Sequence, residues 1–141
     1  MSGRIGPRGI RASVFRQASV ERLQDAKCLL DTGRFYGAIY LCGYAIECQL
    51  KANVCAARQV EALDQGEAKK LGHDLTTVLE KAGLGRKLVV NKDLRIAFFE
   101  IVIRWSAEMR YSGARSDERE CKRFLKNAED LLIWLRMESS L

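Results

Sequence analysis

The residues best equipped for chemistry fall in RIAFFEIVIRWSAEMRYSGAR, positions 95–115. Glu100, Arg104, Glu108 and Tyr111 recur at helical spacing, so a helix from about Lys92 to Arg110 would carry them on one side. Arg104 can then pair with either glutamate. As a solvated charge ladder, each pair would contribute only about 0.3–0.5 kcal/mol. The same residues have a second use. A guanidinium fork and a phenol near a helix end can meet a phosphate, and Arg110 adds a second fork-shaped donor beside them. Arg104, Glu108, Arg110 and Tyr111 are therefore the candidate ligand- or phosphate-binding residues.

A second concentration of functional groups lies in GRFYGAIYLCGYAIECQLKA, residues 33–52, where Glu47 is the lone acid. Tyr36, Tyr40, Tyr44, Glu47 and Lys51 form one row along a helix, and Lys51 follows Glu47 at i+4 in the favourable order. On the preceding helix Arg22 projects from the apolar side. A buried unpaired charge is costly, so Arg22 is expected to pair with Glu47 across the two helices. Arg22, Glu47 and Lys51 are read as structural charges. His73, the single histidine, stands before a helix and reads as a cap or packing residue, with Asp74 the other candidate cap.

No familiar catalytic constellation is present. GLGRK at 83–87 lacks the phosphate-loop pattern, and GxSxG, HExxH and CxxC motifs are missing. No catalytic residue, metal or cofactor is assigned. Cys28, Cys42, Cys48, Cys55 and Cys121 lie in helix-like runs and read as free thiols that behave as small apolar residues in a reducing compartment.

These residues need elements to hold them. Five helical stretches separated by glycine or polar breaks are expected. The first runs from about Ser13 to Asp31 and stops at Thr32-Gly33. The second is the 33–52 stretch extended to about Arg58. It carries a small-residue seam (Ala38, Leu41, Ala45, Cys48, Ala52, Cys55) and a second stripe (Ile39, Cys42, Ile46, Leu50), so it must contact two neighbours. A polar loop covers about Gln59 to Gly72. The third helix is short, about Asp74 to Ala82. Lys87–Val90 is the only short strand candidate. The fourth runs from about Lys92 to Arg110, with stripes Leu94, Ala97, Phe98, Ile101, Trp105 and Ile96, Phe99, Val102. The fifth runs from about Asp117 to Met137 behind Ser116 as N-cap, with Cys121, Phe124, Leu125, Ala128, Leu131, Leu132 and Leu135 inward. The expected fold is all-α: an up-and-down antiparallel bundle of four long helices plus a short one.

The 141 residues suit one domain, and the net charge is +6. Arg4, Arg8 and Arg11 carry half of that excess on an acid-free segment, so residues 1–12 are expected to be a flexible basic arm ahead of a single domain at 13–141. The longest uncharged apolar run, Phe35 to Ile46, is too short to span a bilayer. The N-terminus lacks the apolar region of a secretory signal. A cytoplasmic protein without a membrane segment is expected.

AKCLLDTGRFYGAIYLCGYAIECQLKA, GHDLTTVL and RYSG, in that order, resemble the HEPN domain family (higher eukaryotes and prokaryotes nucleotide-binding) over roughly Ser13 to Leu135. The resemblance implies a helical bundle, often a homodimer, acting beside a small nucleotidyltransferase in a toxin–antitoxin-like pair. Other members are metal-independent ribonucleases in which an arginine is followed a few residues later by a histidine. Counted from Arg104, the histidine positions hold Met109, Arg110 and Tyr111. Counted from Arg110 they hold Arg115, Ser116 and Asp117. The Arg110-Tyr111 pair resembles the motif of members without established nuclease activity. The resemblance therefore implies a non-catalytic protein that binds a nucleotidyltransferase-type partner, nucleotide or RNA. The alternatives are a ribonuclease toxin with a degenerate motif and a helical interaction module without a ligand.

Overall fold

The computed structural model describes residues 9–112 and 115–139. Its elements are strand β1 (Ile10–Arg11), helices α1 (Ala12–Asp31) and α2 (Phe35–Arg58), strand β2 (Ala62–Leu63), helices α3 (Gln65–Leu71), α4 (Leu75–Lys81), α5 (Gly85–Val89) and α6 (Lys92–Arg104), a 3-10 helix (Ala107–Tyr111) and α7 (Glu118–Ser139). The all-α bundle of four long helices is present: α1, α2, α6 and α7. Three short helices accompany them where one was expected.

α2 is the centre because it has two apolar stripes. Its small-residue seam meets α1: Ser19 Oγ donates to the Ala45 carbonyl at 2.7 Å, and Gly37 lies against Leu29. The side chains of Ile39, Cys42, Ile46 and Leu50 are fully buried. On the α7 side, Asn53 Nδ2 donates to the Leu135 carbonyl at 2.9 Å and Gln49 donates to Asn53 at 3.0 Å. α1 and α2 are antiparallel across a tight turn. There Gly33, at φ +80°, takes the left-handed conformation that favours glycine, and Gly33 and Arg34 donate to the Leu30 and Leu29 carbonyls. The inward stripe expected for the last helix, Cys121 through Leu135, is buried in full along α7. α6 runs antiparallel to α7, with Glu100 against Arg123 and Arg104 against Glu120.

Several expected boundaries move. The supposed loop 59–72 contains β2 and α3. β2 pairs antiparallel with β1 (Ile10 opposite Leu63), so the end of the segment expected to be an arm is tied to the bundle. Arg4 and Arg8 lie outside the described residues. α3 starts with a capping box in which the Asp64 side chain and Glu67 each accept from the other's backbone amide. Lys87, Leu88 and Val89 of the supposed strand 87–90 belong to α5, with Val90 as its C-cap; Leu84 before the helix and Leu88 within it, one turn apart, are both buried. α7 is capped by Asp117, which accepts from the Glu120 amide at 2.7 Å, and not by Ser116. Among the described residues no helix is long and apolar enough to cross a membrane.

The largest correction is the end of α6. The helix stops at Arg104, and Trp105 and Ser106 are extended. Leaving the helix lets the Trp105 indole drop onto α2, where Nε1 donates to the Tyr40 carbonyl at 2.9 Å. The ring rests on bare backbone: a Cβ at Gly43 would lie 2.1 Å from Nε1. Gly43→Ala should therefore destabilise the fold by about 2–3 kcal/mol through overpacking at this contact, measured by urea unfolding. A loss below about 0.5 kcal/mol would show that Trp105 has room to move.

Candidate functional site

The tyrosine row of α2 meets the end of α6 and the start of α4 on one side of the bundle. Tyr44 sits in the middle. Its ring is edge-on to Tyr40 and Trp105, with centroids 5.1 Å away in each case, and edge-on to His73 at 6.1 Å. Tyr40 Oη donates to Tyr44 Oη at 3.4 Å, and Arg110 Nη1 donates to Tyr44 Oη at 3.5 Å. Burial is the main cause that pushes the Tyr44 hydroxyl up to about 12. It is thus a neutral hydrogen-bonding group at physiological pH.

Arg110 is exposed. Its guanidinium lies 4.6 Å from the Tyr111 ring centroid, a cation–π geometry, and Tyr111 itself is 77% exposed. The hydrogen bond with Tyr111 is the main reason the guanidinium holds its proton even more firmly than usual. No carboxylate lies within ion-pair distance of Arg110 among the described residues.

One turn below Tyr44, Glu47 is 4% exposed. One carboxylate oxygen accepts from Lys51 Nζ at 3.0 Å, and the other lies 2.9 Å from His73 Nδ1. Lys51 is also buried, whereas the His73 side chain is 55% exposed. The expected pairing of Glu47 with Lys51 is present. The expected pairing of Glu47 with Arg22 is not: Arg22 sits at the surface with Asp25 at 3.0 Å and Glu21 at 3.9 Å. His73 does not cap α4. Asp74 does, accepting from the Thr76 and Thr77 amides.

The row proposed along one long helix divides into three. Glu100 is held by Arg123 Nη2 at 2.6 Å and by Asn127 at 2.8 Å, contacts that lower its pKa, the Arg123 bond first. Arg104 pairs with Glu120 of α7 and stacks 5.5 Å from the Tyr36 ring. Glu108, Arg110 and Tyr111 are on the 3-10 helix, with Glu108 exposed. Arg104 is thus neutralised, and Arg110 is the cation that faces solvent without an acid. Residue typing missed Trp105, which was assigned only to a packing stripe, and missed the contact of His73 with Glu47. The signal was available: the tyrosine row already contained Glu47, and an acid beside aromatic hydroxyls on a packed helix needs a cation.

Fold and site together describe a helical bundle with an aromatic, cationic patch at one end and a charge pair buried beneath it. The chain belongs to the HEPN domain family, whose family model matches residues 12–138, from the first residue of α1 to the last turn of α7. Comparison with curated proteins and with solved structures gives no match.

Lys51 and His73 support Glu47 unequally, and stability separates them. Lys51→Met leaves a buried carboxylate with only an exposed imidazole and should cost about 3 kcal/mol in urea unfolding. His73→Asn leaves the Glu47–Lys51 pair whole and should cost under about 1 kcal/mol. An equal loss in both variants would make His73 a packing residue after all.

Proposed function

We propose that this HEPN-domain protein is a non-catalytic binding protein that takes the phosphate of a nucleotide or of RNA on the Arg110–Tyr111 patch. The observation that carries the reading is the contrast between two arginines. Arg104 is occupied by Glu120, whereas Arg110 is surrounded by phenols and presents an uncompensated fork-shaped donor to solvent. Tyr111 offers an exposed ring on which a base can stack, worth about 1–3 kcal/mol in single-strand binding. The net charge of +6 favours an anionic partner. Tyr44, held protonated at about 12, supports binding over catalysis.

The protein acts as a homodimer in this reading, and α6 is the face that supports it. Ile96, Phe99 and Ile103 project from α6 without covering neighbours in the chain, Phe99 at 64% exposure. Ile96 and Phe99 belong to the second stripe expected on this helix, whose third member, Val102, instead packs partly buried against the core; burying the exposed residues against a copy across a two-fold axis would remove apolar surface from water. The family's pairing with a nucleotidyltransferase supports a partner of that type. The unpaired state of all five thiols suits a cytoplasmic protein.

Binding of fluorescent single-stranded RNA, followed against salt, tests the phosphate contact. Affinity should fall with salt, and Arg110→Ala should weaken it and reduce the log–log salt slope by about 1, with Arg104→Ala nearer to wild type. A slope near zero would sink the phosphate reading. Sedimentation tests the dimer: wild type should sediment as a dimer and Phe99→Glu as a monomer. A monomeric wild type would end the dimer proposal.

A further inference from the structure

We infer that His73 is the second cationic group of the same phosphate site, so that Arg110 and His73, which both touch Tyr44, hold the phosphate backbone and the binding depends on pH. The inference rests on the phosphate reading of Arg110 and adds a residue from a different segment of the chain.

Three observations carry it. The first is that Glu47 does not need His73. Lys51, itself buried, already supplies a full positive charge to the carboxylate at 3.0 Å. A half-exposed imidazole adds little to the packing of a carboxylate that is already paired. The 2.9 Å contact acts in the other direction: Glu47 accepts from His73 Nδ1–H, fixes the tautomer and leaves Nε2 as the free ring nitrogen. Buried carboxylates orient functional histidines by the same contact in metal sites and in catalytic triads.

The second is placement. The Tyr44 ring meets the His73 ring edge-on, with centroids 6.1 Å apart, and its hydroxyl accepts from Arg110 at 3.5 Å, so both groups touch one side chain. Trp105 also packs edge-on against the Tyr44 ring. The third is charge. The groups facing His73 are, from α2, Glu47, Lys51 through the same carboxylate, and the Tyr44 ring, with Arg110 beyond Tyr44. The adjacent Asp74 carboxylate is occupied by the α4 amides. Because Lys51 neutralises Glu47, a protonated His73 retains a charge to offer an outside anion.

The linkage has one sign. A bound anion favours the protonated imidazole, so affinity is highest below the histidine range and falls as pH rises through it. Arginine and a phosphodiester do not titrate there.

The test uses a short oligothymidylate without terminal phosphates, whose charge is constant across the range. Binding to the full-length protein is measured by fluorescence anisotropy at about pH 5.5 and about pH 8. Wild-type affinity should fall by about tenfold over that interval, as for loss of one charge-assisted contact. His73→Gln should show little change with pH and match wild type at the upper value. Arg110→Ala should bind weakly at both. Since the chain has a single histidine, its imidazole resonance can be followed directly, and the oligonucleotide should shift it in wild type but not in Arg110→Ala. Binding that depends on Arg110 but not on pH, or a pH dependence that survives in His73→Gln, overturns the role of His73 and leaves the Arg110 reading standing. No wild-type binding at either pH, or binding indifferent to Arg110, overturns both.

Discussion

The arrangement of this molecule depends on the indole of Trp105 lying on the backbone of α2 at Gly43. A full aromatic ring can approach a helix that closely only where there is no Cβ, and its N–H finds the Tyr40 carbonyl, so burial leaves no polar atom unpaired. The contact has a consequence for the chain beyond it. α6 must end one residue earlier, at Arg104, and the following residues wind into a 3-10 helix laid along the tyrosine row. Tyr36 Oη donates to the Met109 carbonyl at 3.3 Å and Arg110 reaches Tyr44, both because Trp105 has brought this segment down. In one uninterrupted helix, Arg104 and Arg110 would have extended away from α2.

Beneath that patch, the buried Glu47–Lys51 pair occupies a position where an apolar pair of similar volume would give comparable stability. Its retention on a packed helix is informative because of what touches it. The second carboxylate oxygen is turned to an exposed imidazole, so a charge in the interior sets the orientation of a ring at the surface. The support comes from α2 and the supported residue lies just before α4, with Asp74 fixing the α4 terminus independently of His73.

The polar patch and the apolar α6 face use different surfaces. Between them, Glu100 and Arg104 are drawn into pairs with α7, which line the groove between α6 and α7 and remove both from the row they seemed to share. The surface is therefore divided into an aromatic cationic patch and a greasy face.

Periodicity alone determined the long helices of this protein. The α7 stripe from Cys121 to Leu135 and the two stripes of α2 follow from side-chain geometry at 3.6 residues per turn, because each long helix must bury its own apolar side. The Gly33 stop and the Glu47–Lys51 pair were legible for the same reason: each is settled within about one helical turn. Short elements were less legible. α5 has too few turns for a period to show, and β1 with β2 joins segments far apart in the chain. What only tertiary structure decided was which charges meet. Arg104 went to Glu120 and His73 to Glu47, because long polar side chains take the nearest partner that folding supplies, and hydrophobic spacing carries no record of that choice. The end of α6 was decided in the same way, since the cost of leaving a helix at Trp105 is balanced only by a glycine on another helix.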